Sequence, residues 1–137
     1  MEGLPSWKRG TPGFLCVAGP HAIPISTAVR AGDDRLLLAL GRGRETLARL
    51  RDEPRAAFCL LGEGVAFTAH GDARVVAEGL EATDSVVAVE LQVKRVQDHL
   101  YGGRTELVDG ARWRFTERRF GDAEGAIVAE LERLGRE

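Results

Sequence analysis

What the chain has little of narrows its chemistry first. Cysteine occurs twice, at Cys16 and Cys59, each inside an apolar run. No CxxC is present and His21, His70 and His99 are scattered, so neither a disulfide framework nor a zinc site is expected; the two thiols read as reduced, small, buried hydrophobes. Lysine occurs only at Lys8 and Lys94, so arginine carries nearly all of the positive charge. The 19 basic and 21 acidic residues leave a formal net charge of −2 without a block of one sign, a surface with no field to gather nucleic acid or an anionic membrane. No apolar run approaches the ~20 residues that cross a bilayer, and Met1–Gly13 lacks the basic-then-apolar pattern of a secretory signal, so a cytoplasmic protein is expected. Catalytic signatures are missing too. No GxSxG, no HExxH, no Gly-Lys-Ser/Thr loop and no GxGxxG with a later acidic residue occur, which disfavours triad hydrolases, zinc peptidases, nucleotide triphosphatases and Rossmann enzymes.

What remains is 137 residues at 44% hydrophobic content, enough for one core in a single domain spanning 1–137. Phe14–Ala18 and His21–Val29 are apolar runs separated by Gly19-Pro20 and read as a hairpin. In the second run Ile23, Ile25, Thr27 and Val29 share one face; Pro24, which lacks a backbone donor, belongs at an edge or bulge. Arg35–Leu40 and Arg55–Leu61 read as buried strands. Between them Leu47 and Leu50 recur at helical spacing until Asp52-Glu53-Pro54 ends the helix. In the long alternating run after Gly64, Val65, Phe67, Ala69, Ala73 and Val75 share a face, opposite Thr68, His70, Asp72 and Arg74. Ser85–Asp98 is a sixth strand, Leu100–Asp109 a polar loop, and Gly110–Thr116 around Trp113 a seventh strand. Asp122 caps a final helix over about 122–135 with a stripe of Ile127, Leu131 and Leu134. Six or seven strands with a single helical crossover predict a mostly antiparallel β-barrel with short helices.

One junction carries most of the chemical interest. At Leu40-Gly41-Arg42-Gly43-Arg44-Glu45-Thr46 a buried strand passes through two glycines into a helix. Glycines expose backbone N–H groups, a helix start has unpaired donors at a positive dipole end, and Arg42, Arg44 and Thr46 add guanidinium and hydroxyl donors. Together they make a candidate phosphate site; the alternative is a plain surface turn in an arginine-rich chain. His21, at a hairpin tip, is expected to be exposed. His70 is expected to bond a neighbouring strand.

The order of elements resembles the pyridoxamine 5′-phosphate oxidase-like family of FMN-binding split barrels. The resemblance rests on a hairpin with Pro-His at its turn, Ile-Pro-Ile-Ser-Thr-Ala-Val behind it, a buried strand, an arginine-containing helix with leucine four residues before a Pro-Arg pair, and two long strands. It runs from about Phe14 to Val76 and more weakly to about Phe115. It implies an antiparallel split barrel acting as a homodimer, with Pro24, Ile25, Ser26 and Thr27 against the flavin ring and Arg42, Arg44 and Thr46 at the phosphate. Trp113 would lie nearest the partner's ring. The implied activity is an FMN-dependent oxidoreductase on a small-molecule substrate, the alternatives being an F420-dependent reductase or a non-catalytic ligand-binding module. Thr46 stands where many members have lysine and Pro24 where the oxidase has arginine. The oxidase's Arg-x-His segment is absent, the chain reading Gly-Ala-Arg-Trp-Arg-Phe-Thr instead. Phosphate charge would then come from Arg42 and Arg44, or from Arg30.

Overall fold

A computed structural model describes residues 2–137, and these form seven strands and two helices. The strands are β1 (Gly13–Val17), β2 (His21–Ile25), β3 (Val29–Arg30), β4 (Arg35–Gly41), β5 (Arg55–Gly62), β6 (Val65–Ala77) and β7 (Val86–Asp98); the helices are α1 (Glu45–Asp52) and α2 (Arg118–Gly135). All strand pairs are antiparallel, in the order β2-β1-β5-β6-β7-β4-β3.

That order forces the sheet to curl. β2 and β3 occupy opposite edges, yet only Ser26–Ala28 separates them in the chain. Strands ~4.8 Å apart would put the edges of a flat seven-stranded sheet roughly 29 Å apart, whereas the four residue steps from Ile25 to Val29 span at most about 14 Å. The edges must therefore approach each other, as in a barrel. Inside lies the main core, with Leu15, Val17, Ile25, Leu36, Leu38, Leu40, Phe58, Leu60, Val87, Val89 and Leu91 all buried. The face foreseen on β6 is there in full: Phe67, Ala69 and Ala73 lie in this core, and Val65 and Val75 pack against it. At Gly71, beside a register shift, β6 approaches β7 so closely that a Cβ would sit 1.9 Å from the Gln92 carbonyl, a place only glycine can fill.

Outside the barrel a second apolar cluster joins Val29, Leu37, Ala39 and Ala88 to Val128 and Leu131 of α2, with Ile127 and Leu134 packed against it. β4 is thus buried on both faces. β5 is not: Ala56, Phe58 and Leu60 point inward, while Ala57 and Cys59 are half-buried and Leu61 is exposed.

Beyond the open outer face of β5, the two thiols expected to be buried, Cys16 and Cys59, are only half-buried, and four further expectations are corrected. His21–Val29 is not one strand: Ile25 and Ala28 both face the interior, so the alternation slips across Ser26–Ala28 and Val29 turns outward under α2. Gly110–Thr116 is not a strand. β7 already has β6 and β4 on its two sides, so the chain leaving it cannot pair there; residues 107–110 instead lie on the β5–β6 turn, with the Gly64 N–H donating to the Leu107 carbonyl at 2.9 Å. α2 starts at Arg118 with Glu117 as its cap residue, and Asp122 lies one turn inside. His21 is half-buried rather than exposed, because it packs against α1.

Candidate functional site

The β4–α1 corner is built from a strand that cannot continue and a helix that starts without help. β4 hands over at Gly41, and α1 is held down by Leu47 and Leu50, both buried in the barrel core. Among the described residues no side chain caps the helix start, so the amides of its first turn keep their unpaired character. Gly43 is exposed, and a Cβ there would meet nothing within 4 Å, so the corner is open to approach. Arg44 is exposed and, among the described residues, pairs with no carboxylate.

Its neighbours are committed elsewhere. Arg42 donates through Nε to the Asp84 carbonyl at 2.9 Å and through its terminal nitrogen to the Glu78 carbonyl, pinning the β6–β7 connection. The Thr46 hydroxyl is buried and lies 2.9 Å from His21 Nε2, while His21 Nδ1 lies 3.0 Å from Glu45 Oε2. A carboxylate only accepts, so in the neutral ring Nδ1 carries the proton and Nε2 accepts the Thr46 hydroxyl proton. Glu45 Oε2 also accepts from Arg49 Nε at 3.0 Å, and Arg49 donates to the Ala18 carbonyl at 3.0 Å. This network ties the β1–β2 hairpin to α1, a contact that sequence reasoning missed for His21. Arg30 is likewise committed, to the Leu4 carbonyl and to Asp33.

The strand segment named for the ring has a different character. Pro24 is exposed on β2 opposite Phe14, and Ile25 is buried in the core. Ser26–Ala28 falls between two ladders, so its backbone lies outside the sheet's own pairing. The Ser26 hydroxyl donates to Glu124 Oε1 of α2 at 2.7 Å, and the Thr27 hydroxyl accepts the Ala39 N–H at 3.1 Å, standing in for a missing strand bond. The His21–Thr46 contact links the start of β2 to the corner, and β2 leads from there through Pro24 and Ile25 to Ser26 and Thr27. Trp113 lies away from the corner: it is half-exposed beside Trp7 and the β5–β6 turn, at the opposite end of β1 from the hairpin, where Gly13 opposes Ile25. The structure therefore joins Thr46 to the start of β2 through His21, with Arg44 exposed beside it, and sets Trp113 at the other end of β1.

Other polar residues escaped the sequence pattern. Glu90, buried on β7, receives Arg35 Nε at 2.9 Å and Arg74 Nε at 3.2 Å. Glu130, buried on α2, accepts the N–H groups of Glu81 and Ala82 at 2.8 and 2.9 Å. Both are structural ties. His70 meets its expected role, with Nε2 2.6 Å from Gln97 Oε1 on the neighbouring strand. Among the described residues no cluster of three potential metal ligands occurs, and no helix is long and apolar enough to cross a membrane.

No protein-family model matches the chain, and neither does any curated protein. Solved structures do. A candidate pyridoxamine 5′-phosphate oxidase from Listeria innocua superimposes over 65% of this chain and 88% of its own, with a TM-score of 0.53 at 16% identity. An FMN-binding protein from Syntrophomonas wolfei subsp. wolfei covers 67% and 78% at a TM-score of 0.51 and 11% identity. An F420 reductase covers 65% and 90% at a TM-score of 0.56 and 9% identity. Identities this low speak for the fold and not for the activity. By its strand order, its curled antiparallel sheet and these likenesses, the chain has the split β-barrel fold of the pyridoxamine 5′-phosphate oxidase-like proteins.

Proposed function

We propose that this chain is a cytosolic, homodimeric flavoprotein that binds FMN and serves a small-molecule oxidoreduction. The observation that carries the proposal is the β4–α1 corner: an uncapped helix start, an open glycine and an arginine without a carboxylate partner among the described residues, tied through His21 to the start of β2. The corner fits the phosphate end of the cofactor. First-turn amides of α1 would donate to the phosphate oxygens, and Arg44 would supply the charge. Thr46 and Arg42 would act indirectly, by fixing α1 against β2 and the β6–β7 connection. The Ser26 hydroxyl gives its proton to Glu124 and the Thr27 hydroxyl accepts the Ala39 amide, so of the two Thr27 keeps a free O–H donor for the ring, beside the main-chain groups of Pro24–Thr27. Bound FMN supplies redox chemistry at its ring, and the protein's part is to hold, orient and shield it. The dimer is favoured by the outer face of β2, β1 and β5, where Pro24, Phe14 and Leu61 are exposed beside a half-buried Cys59.

The test is titration of the protein with FMN and with F420, followed by absorbance and calorimetry. FMN is expected to bind at micromolar Kd or tighter, and Arg44→Ala to weaken it by about tenfold or more, since a charge-assisted bond contributes ~1.5–3 kcal/mol. Arg42→Ala should act mainly on stability. Tighter binding of F420 would move the chain to the reductase alternative. Failure of both at millimolar concentration would leave a non-catalytic ligand module, and an unchanged Arg44→Ala affinity would remove the corner from the site.

A further inference from the structure

At the other end of the barrel lies a cleft of about 670 Å³, within the range of small-molecule sites. Its walls are the N-terminal segment 6–12, the β5–β6 turn at 63–65 and residues 109–113. We propose that this cleft binds a planar aromatic zwitterion, a molecule of the aromatic amino acid class, independently of any cofactor at the α1 corner.

Its walls are held in place before any ligand arrives. Trp7 packs at a tilt against the core rings Phe67, at 5.4 Å, and Phe58, at 6.3 Å between ring centroids, and its Nε1 donates to the Ala28 carbonyl at 3.2 Å. Gly110 lies so close to the Leu61 carbonyl that a Cβ would come within 2.0 Å, and the neighbouring Gly64–Leu107 bond fixes the same crossing. Thr11 folds the N-terminal segment back, donating to the Lys8 carbonyl through both its N–H and its hydroxyl. Trp113, half-exposed, faces the cleft with no aromatic partner among the described residues. One indole is fixed and the other is free to close on a flat ring.

The charges select the rest of the ligand. Five charged side chains line the cleft, and three of them are matched: Arg9 with Glu132 at 3.2 Å, and Arg112 with Asp109 at 3.3 Å. Lys8 and Glu63 remain. Among the described residues neither forms an ion pair, and no bridge joins them to each other. An unmatched ammonium and an unmatched carboxylate on one cleft complement a carboxylate and an amine on one ligand.

Calorimetric titration of the full chain with L-phenylalanine, 3-phenylpropanoate and phenethylamine tests this. Phenylalanine is expected to bind with a sub-millimolar Kd and each truncated analogue more weakly. Lys8→Gln should weaken phenylalanine and phenylpropanoate about threefold and spare phenethylamine, and Glu63→Gln the reverse, the modest factor reflecting exposed charges. Trp113→Ala should weaken all three about tenfold, with Trp113→Phe recovering most of the loss. These side chains are exposed, so the variants keep their fold. No binding at 10 mM, or one affinity for all three ligands that ignores Lys8 and Glu63, overturns the proposal. So does displacement of phenylalanine by FMN, which would give the cleft to the cofactor; loss of FMN binding with phenylalanine binding intact would instead sink only the flavin assignment.

Discussion

β4 and β5 are nearly interchangeable as text and quite different as objects. Each is an apolar run, Arg35–Gly41 and Arg55–Gly62, and each reads from the sequence as a strand buried on both sides. β4 has two covers, the barrel core on Leu36, Leu38 and Leu40 and the helix α2 on Leu37 and Ala39. β5 has one. Its outer residues Ala57, Cys59 and Leu61 continue into Phe14 and Cys16 on β1 and Ala22 and Pro24 on β2 as one apolar face that no strand or helix among the described residues covers. The same composition thus has two meanings, and what separates them is whether the chain supplies its own cover. A contiguous apolar sheet face left bare marks a place where another surface belongs, which is why the proposed second copy is put there.

Two matched substitutions would break or sharpen this contrast. Leu37→Ala should cost about 2–5 kcal/mol, because Leu37 is 1% exposed and its removal leaves a cavity between β4 and α2; urea unfolding reads it directly. On β5 the corresponding change, Leu61→Ala, should move monomer stability by no more than about 0.5 kcal/mol, since Leu61 is 44% exposed. Leu61→Asp together with Phe14→Asp should instead convert dimer to monomer in sedimentation velocity, with the far-ultraviolet spectrum unchanged. A dimer that survives both aspartates would place the interface on some other face. If Leu37→Ala proved as mild as Leu61→Ala, α2 would not be a tight cover.

Which parts of the molecule could be read in advance follows from how local their causes are. The alternation of β6, the run in β4, the Leu47–Leu50 pair of α1 and the Ile127, Leu131, Leu134 stripe of α2 each sit within a few residues of their cause, and each packs as expected. The break at Ser26–Ala28 carries no glycine or proline; it exists because β2 and β3 must reach opposite edges of the sheet, a requirement of the closed whole. Gly110–Thr116 alternates well but finds no free strand beside β7. At the corner, glycines and an uncapped helix could be anticipated from adjacent residues. That Thr46 would give its hydroxyl to His21 could not, since 25 positions separate them and only the docking of hairpin on helix brings them together. Trp7 escaped notice for a related reason: it lies in a short segment without periodicity and matters only because the barrel end it closes exists.

The smallest expected effect on that bare face concerns its thiols. Cys16 and Cys59 sit diagonally across the β1–β5 pair, since Cys16 opposes Ala57 and Cys59 opposes Phe14. Burial, and secondarily the neighbouring Cys59, pushes the Cys16 thiol above its ordinary range. The thiol therefore stays protonated through neutral pH, and alkylation, which needs the thiolate, is slow there and quickens as the solution is made alkaline. Because the unfolded thiol ionises first, the stability contributed by this shift is present below the ordinary thiol pKa and is lost as pH rises through the higher folded value. If this face is where two copies meet, iodoacetamide at constant alkaline pH should label Cys16 faster in the Phe14→Asp, Leu61→Asp monomer than in the native dimer, as mass spectrometry of the labelled peptide would read. Equal rates in the two forms would mean that the face stays open in the assembled protein, and β5 would then differ from β4 without a partner to account for it.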